Sequence, residues 1–126
     1  MRPLILIVDD NTDILFNLKI TLEFQNYDVI TAEDGKEAVE CLAKLENLPE
    51  LIISDILMPE IDGYELFDII KENPKWNNIP FLFLTAYSPI NDKKTKNTIN
   101  ENDVIIKPYE EDKFLKKISE KIKDKI

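Results

Sequence analysis

The chain has 126 residues, of which 44% are hydrophobic and 33% are charged, a size that suits one compact domain with one core. Its formal net charge of −9 argues against direct nucleic-acid binding, because duplex affinity depends on Lys and Arg at phosphates. The absence of His and the presence of only two Gly exclude His-based catalysis, His metal ligands and glycine-rich nucleotide loops.

Cysteine usage and hydropathy bear on where the protein acts. Cys41 is the one cysteine, so an internal disulfide cannot form, and we expect this residue to be buried in a helix. No apolar run approaches the ~20 residues that a membrane span needs. We therefore expect a cytoplasmic protein whose residues 1–126 form one domain.

Short apolar runs alternate with amphipathic segments along the chain. Runs of Leu, Ile, Val and Phe that are too short for helices predict strands buried on both faces, and apolar side chains at intervals of three and four residues predict helices. In chain order we predict strand 4–8, helix 12–25, strand 28–31, helix 35–46, strand 51–55, helix 62–72, strand 81–84, strand 104–106 and helix 110–124. This alternation predicts an α/β fold, a sheet of parallel strands with helices on both faces.

Several segments depart from a uniform pattern. The strand at residues 28–31 is more polar than the others, so we expect it near an edge of the sheet. Trp76 stands in a polar connection and should cover the edge of the core. Residues 91–100 contain one apolar side chain, Ile99, so little burial would hold a helix there.

Polar side chains follow four of the five predicted strands. Asp9 and Asp10 follow the first, Asp55 ends the third, Thr85 follows the fourth and Lys107 follows the fifth. The carboxyl ends of parallel strands share one edge of a sheet, so these groups should converge at a ligand-binding crevice. A lone Asp at a strand end is more often a helix cap, and the ordered set is what favours a site.

The composition of this set predicts metal-assisted phosphoryl chemistry. Three carboxylates in one crevice repel one another unless a cation lies among them, and oxygen ligands without His or Cys suit Mg²⁺ or Mn²⁺. The Lys107 ammonium and the Thr85 hydroxyl suit the oxygens of a phosphoryl group. Asp55 is the candidate acceptor, because it stands alone at the central strand while Asp9 and Asp10 form a pair.

These motifs resemble those of the receiver domains of two-component response regulators. The resemblance covers essentially the whole chain and rests on Asp9-Asp10, Asp55-x-x-Met58-Pro59-x-x-x-Gly63, Thr85-Ala86 and Lys107-Pro108. It implies a flavodoxin-like, doubly wound sheet of five strands in the order 2-1-3-4-5, and a histidine kinase or phosphotransfer protein as the partner. It also implies a cis Lys107-Pro108 peptide.

The resemblance assigns a role to each site residue. Asp55 would be the phosphoacceptor, and Asp10 would bind the metal directly while Asp9 would bind it mostly through water. The backbone carbonyl of Leu57 would complete the protein ligands. Thr85 would follow the phosphoryl oxygen as a switch, and Lys107 would pair with that group.

Two positions depart from the family pattern. Val104 stands where a Tyr or Phe usually reorients on activation, so an aromatic switch cannot operate there. Asn100 replaces the usual Gly before the last strand, and Asn tolerates a left-handed conformation. We therefore expect the signal to travel through residues 91–100, and a partner or a second copy to bind through residues 91–124. Leu57 and Tyr87 flank the path of an attacking water, and they predict a long-lived phosphorylated state.

Three other functions are compared with these residues. An aspartyl-phosphate phosphatase of the haloacid dehalogenase type also uses an Asp and Mg²⁺, but it needs a second Asp where Leu57 stands. A flavodoxin-like electron carrier lacks support, because no phosphate-binding loop follows the first strand and Asp9-Asp10 would repel a flavin phosphate. The chain is also compatible with a receiver segment of a hybrid histidine kinase.

Overall fold

The computed structural model describes residues 2–86 and 97–123. Its elements in chain order are β1 (Leu4–Val8), α1 (Thr12–Phe24), β2 (Asp28–Ala32), α2 (Gly35–Lys44), β3 (Leu51–Ser54), α3 (Gly63–Glu72), β4 (Phe81–Thr85), a 3₁₀ turn (Glu101–Asp103), β5 (Val104–Ile106) and α4 (Glu111–Lys123). The expectations for Tyr87, residues 91–96 and Asp124 lie outside the described residues. No helix in the described ranges is long and apolar enough to cross a membrane.

All strand pairings are parallel, and the order across the sheet is β2-β1-β3-β4-β5. The predicted order is confirmed, and the polar strand β2 lies at an edge as expected. In the register between β1 and β3, Val8 is opposite Ser54. The residues that follow these two positions, Asp9 and Asp55, therefore emerge side by side at one edge of the sheet.

The sheet is covered on both faces, which explains the unbroken apolar runs of its inner strands. In β1, Ile5 and Ile7 point into a core shared with α1 and α4, while Leu6 and Val8 point into a core shared with α2 and α3. This alternation follows from the two-residue period of a strand. Trp76 is 8% exposed and belongs to the core shared with α2 and α3, as predicted for a residue that covers the edge of the core.

Polar side chains begin the first three helices. Asn11 caps α1 by accepting hydrogen bonds from the backbone N–H groups of Asp13 and Ile14. Asp34 caps α2, and Asp62 caps α3 in a reciprocal arrangement with Glu65. Caps of this kind contribute about 1 kcal/mol each. They fix where the chain turns away from the sheet edge, and so they fix the loops that border the site.

Several predicted boundaries and environments were wrong in detail. Helix α2 ends at Lys44, two residues early, and Cys41 within it is half-buried rather than buried. Strand β3 ends at Ser54, so Asp55 follows the strand, whereas Thr85 is the last residue of β4. Asn100 has φ −84° and ψ 137°, because its side chain accepts a hydrogen bond from Asn102 and starts the 3₁₀ turn. The left-handed conformation is therefore not used there.

Candidate functional site

Three carboxylates meet at the carboxyl edge of the sheet. Asp9 and Asp10 follow β1 and Asp55 follows β3, and one oxygen from each residue lies within 4.8 Å of the other two. Asp9 is 3% exposed, Asp10 is exposed and Asp55 is half-buried. The cluster is thus closed on the side of Asp9 and open to solvent on the side of Asp10.

Asp9 is held by the backbone around it. Its N–H donates to the carbonyl of Ala32 at 3.1 Å, and its Oδ1 accepts from the N–H of Asn11 at 3.0 Å. Burial raises the pKa of the Asp9 carboxyl, although the Asn11 hydrogen bond opposes the rise. The negative charge of Asp55 raises this pKa further, and Lys107 lowers it. Ionised Asp9 therefore carries a desolvation cost that a cation would offset.

Asp55 is fixed at both its main chain and its side chain. Its N–H donates to the carbonyl of Val8 at 3.0 Å, which continues the ladder between β1 and β3. Its Oδ1 accepts from the N–H of Ile56 at 2.7 Å. Its Oδ2 faces Lys107, whose Nζ lies 3.8 Å away. One carboxylate oxygen is therefore occupied, and the other faces a cation.

Lys107 joins the acid cluster from the far side of β4. Its Nζ lies 3.6 Å from Asp9 Oδ2 and 3.8 Å from Asp55 Oδ2, distances that give charge attraction without a short hydrogen bond. Its backbone N–H donates to the carbonyl of Thr85 at 2.7 Å, and the Lys107-Pro108 peptide is cis, as the resemblance implied. A single ammonium thus lies between two of the three carboxylates.

The remaining predicted residues lie around this cluster. Thr85 is 1% exposed at the end of β4, beside Lys107. Val104 is half-buried, pairs with Phe83 across the sheet and packs against the core of α2 and α3. The Leu57 side chain is turned outward and is 65% exposed. An apolar group therefore stands in solvent two residues after the candidate acceptor.

Both glycines of the chain pack against the loop that follows Asp55. A Cβ at Gly63 would lie 2.2 Å from the carbonyl oxygen of Asp55, and a Cβ at Gly35 would lie 2.6 Å from the carbonyl oxygen of Ile61. Neither glycine has a positive φ. Close approach, rather than an unusual backbone conformation, is what requires glycine at these positions.

The donor set of the cluster fits a hard divalent cation. Its side chains offer carboxylate oxygens alone, and Mg²⁺ and Mn²⁺ prefer such ligands. The buried Asp9 supplies negative charge that is poorly solvated, and the exposed Asp10 leaves room for water on the ion. Both features suit Mg²⁺, which keeps several waters when it binds protein.

Sequence reasoning missed part of the machinery that holds Asp55. The N–H of Ile56 and the hydroxyl of Ser54 both contact this residue, the hydroxyl by donating to the Asp55 carbonyl at 2.8 Å. The N–H has no sequence signal, because every residue except Pro carries one. Ser54 did have a sequence signal, since it is a polar residue at the end of an apolar run. In the structure it is fully buried.

The chain is similar to known proteins along most of its length. The model of the response regulator receiver domain family matches residues 5–119. An uncharacterized 14.6 kDa protein of Leptolyngbya boryana is 38% identical over 106 residues, which cover 84% of this chain and 79% of that protein. A probable transcriptional regulator, ycf27, of Porphyridium aerugineum is 37% identical over 105 residues. That match covers 83% of this chain but 42% of the regulator, so the chain spans less than half of that relative.

The same fold occurs among solved structures. The chemotaxis response regulator CheY4 of Vibrio cholerae superposes with a TM-score of 0.82 and is 28% identical in sequence. The superposition covers 96% of this chain and 99% of CheY4. The similarity therefore extends over the whole sheet and the helices on both of its faces.

Proposed function

The chain belongs to the response regulator receiver domain family of two-component systems, and from this we propose that Asp55 accepts a phosphoryl group from a phosphohistidine. The donor would be a histidine kinase or a phosphotransfer protein, and the step would depend on Mg²⁺. The protein would be the substrate of its partner and would assist its own phosphorylation and dephosphorylation.

The observation that carries this proposal is the orientation of the Asp55 carboxylate. The N–H of Ile56 holds Oδ1, while Oδ2 lies 3.8 Å from Lys107 Nζ and the side chain is 18% exposed. A carboxylate that is held at one oxygen and is partly exposed is suited to in-line attack on phosphorus by its other oxygen. The other acid near Lys107, Asp9, is closed off by burial.

In the proposed step an oxygen of Asp55 attacks the phosphorus atom of the phosphohistidine. The new P–O bond forms as the P–N bond breaks, and the departing ring nitrogen takes a proton from solvent. The Lys107 ammonium attracts the phosphoryl oxygens, and the Thr85 hydroxyl donates to one of them. In the separate dephosphorylation step, a water oxygen attacks the phosphorus atom as the P–O bond to Asp55 breaks, which restores the carboxylate and releases inorganic phosphate. Charge neutralisation and positioning contribute most of the catalysis of such transfers.

Mg²⁺ or Mn²⁺ would be held by Asp10 and Asp55 directly, by Asp9 mostly through water, and by the backbone carbonyl of Leu57. When bound, the ion neutralises charge on the phosphoryl oxygens. The 4.8 Å grouping of the three carboxylates and the raised pKa of Asp9 support this assignment. The Lys107 ammonium partly offsets the repulsion among the carboxylates in the absence of the ion.

A phosphatase of the haloacid dehalogenase type fits the site less well. Such an enzyme needs a second acid two residues after the nucleophile to protonate the leaving group. Leu57 occupies that position and its side chain is 65% exposed. No acid can therefore act from there, and stable phosphorylation is favoured over turnover.

We propose that the output passes through residues 91–124. Val104 cannot act as an aromatic switch, so a shift of Thr85 toward the phosphoryl group would instead pull the loop after β4. Beyond that loop along the chain, Asn97 donates its backbone N–H and its side-chain amide to Asp68 on α3, at 3.1 and 2.9 Å. Phosphorylation would change the order of the segment between Thr85 and this contact, and so change the face that a partner or a second copy binds.

The proposal is tested by incubating the protein with acetyl phosphate and Mg²⁺ and measuring intact mass. We expect the parent to gain one phosphoryl group and Asp55→Asn to gain none. Asp13→Asn is the matched control, since Asp13 is an exposed acid in the first turn of α1 and should leave labelling unchanged. Full labelling of Asp55→Asn would refute the assignment.

A further inference from the structure

Ser54 is a buried hydroxyl directly before the acceptor. It ends β3 after three apolar residues and is 0% exposed. Its Oγ donates to the backbone carbonyl of Asp55 at 2.8 Å. Burying a hydroxyl is costly unless it is hydrogen-bonded, so this contact has to persist in the folded protein.

The carbonyl that Ser54 contacts belongs to the peptide unit that also orients the Asp55 side chain. The Asp55 carbonyl and the Ile56 N–H are parts of one plane, because the peptide bond between them cannot rotate freely. The hydroxyl of Ser54 holds the carbonyl end of this plane, and the N–H end donates to Asp55 Oδ1 at 2.7 Å. A rotation of the plane would break both hydrogen bonds together.

Gly63 borders the same peptide unit. A Cβ at this position would lie 2.2 Å from the Asp55 carbonyl oxygen and 2.7 Å from Ile56 Cα. The N–H of Gly63 also donates to the Ile56 carbonyl at 2.7 Å. The peptide after Asp55 is thus confined by a hydroxyl of the preceding residue and by the first residue of α3.

We propose that Ser54 is a positioning residue for the phosphoacceptor. Its hydroxyl fixes the plane of the Asp55–Ile56 peptide, that peptide holds Oδ1, and Oδ2 is thereby kept facing Lys107. The proposal rests on the proposed function of Asp55 as the acceptor. If the hydrogen bond only offset the cost of burying the hydroxyl, Ser54→Ala would lower stability without a specific loss of phosphorylation at Asp55.

The test measures the rate of Asp55 phosphorylation at saturating acetyl phosphate and Mg²⁺. Ser54→Ala should be slower by roughly tenfold, the effect of losing one hydrogen bond from a positioned group. Ser54→Thr keeps the hydroxyl and should recover most of the rate, and Ser54→Cys, a weak donor of similar size, should fall between them. Ile5→Val is the matched control, because it removes a buried methylene at the far end of the neighbouring strand.

A second readout separates this proposal from the proposed function. The amide proton of Ile56 should resonate downfield in the parent, as expected for a short hydrogen bond to a carboxylate, and should move upfield in Ser54→Ala but not in Ile5→Val. If the parent is not phosphorylated, the proposed function is wrong. The chemical shift of the Ile56 amide in Ser54→Ala then still tests whether Ser54 positions the Asp55 carboxylate. An unchanged Ile56 amide in Ser54→Ala, a rate equal to that of the parent, or an equal slowing in Ile5→Val would overturn the positioning role.

Discussion

Gly63 packs so closely on the carbonyl of Asp55 that a Cβ at position 63 would lie 2.2 Å from that oxygen. This contact links the start of α3 to the peptide that orients the candidate acceptor. The carbonyl cannot move away freely, because Ser54 holds it at 2.8 Å. The geometry of the acceptor therefore depends on a residue eight positions later in the chain.

Gly63→Ala should lower both stability and phosphorylation. Overpacking costs about 1–3 kcal/mol, and the better helix propensity of Ala recovers less than about 1 kcal/mol of it. Gly35→Ala is the matched control, since Gly35 also begins a helix after an Asp cap and meets the loop at Ile61 rather than at Asp55. We expect both variants to have a lower melting temperature than the parent. Only Gly63→Ala should also be phosphorylated more slowly by acetyl phosphate. Equal labelling of the two variants would contradict the contact as a determinant of reactivity.

Mg²⁺ should stabilise the folded protein, because only the folded state gathers the three carboxylates. At about a hundred times its dissociation constant, the ion should add about 3 kcal/mol to the free energy of unfolding. Asp10→Asn should lose this response, while Asp13→Asn should keep it. Melting curves with Mg²⁺ and with EDTA measure the effect. An unchanged melting temperature of the parent on addition of Mg²⁺ would count against the metal site.

Asp9→Asn should stabilise the metal-free protein at neutral pH. Burial is the largest influence on this carboxyl and raises its pKa in the folded state above the ordinary value of 3.8. The folded state then binds the proton more tightly than the unfolded state, so the stability contributed by Asp9 is complete below pH 3.8 and is lost as pH rises through the folded pKa. Asn does not titrate, so the variant does not lose this stability. Denaturant unfolding in EDTA, measured from below pH 3.8 to neutral pH, should show the free energy of unfolding of Asp9→Asn increasing relative to that of the parent as pH rises. A constant difference between the two proteins would contradict the prediction.

The phosphorylated state should decay slowly, because the exposed apolar side chain of Leu57 offers an attacking water no hydrogen bond. Leu57→Asn should quicken decay by roughly tenfold, the effect of one added hydrogen bond. Tyr87→Glu should act in the same direction. Phe24→Asn is a control, since Phe24 is 83% exposed at the end of α1. Decay of purified phosphoprotein can be followed by intact mass, and one common rate for all four proteins would remove the argument.

Activation should change hydrogen exchange most in residues 91–100. Their amides should exchange quickly in the free protein, because the sequence offers one apolar side chain to bury. Addition of beryllofluoride with Mg²⁺ mimics the phosphoryl group and should alter this exchange. Residues 14–22, whose Leu15, Leu18 and Leu22 are buried, provide the comparison. Protection of residues 91–100 equal to that of residues 14–22 in the free protein would refute the hypothesis.

The sequence by itself determined the fold class and the grouping of the candidate site residues. Apolar runs too short for helices, alternating with amphipathic segments, leave a parallel sheet as the way to bury both faces of each strand. Polar residues at the ends of such strands must then share one edge, so the sequence alone groups Asp9, Asp10, Asp55, Thr85 and Lys107. These inferences hold because hydrophobic periodicity is a local property, and because strands that alternate with helices pair in parallel through short crossovers.

Only the tertiary structure decided how neighbouring residues of the same kind differ. Asp9 and Asp10 are adjacent and chemically identical, yet Asp9 is 3% exposed beside Lys107 and Asp10 is exposed. The contacts of Ser54 and Gly63 with the Asp55 carbonyl likewise have no periodic signal. Burial, pKa and close approach depend on which distant segments cover a side chain. That information arises when β1, β3 and α3 are brought together, because no single segment contains it.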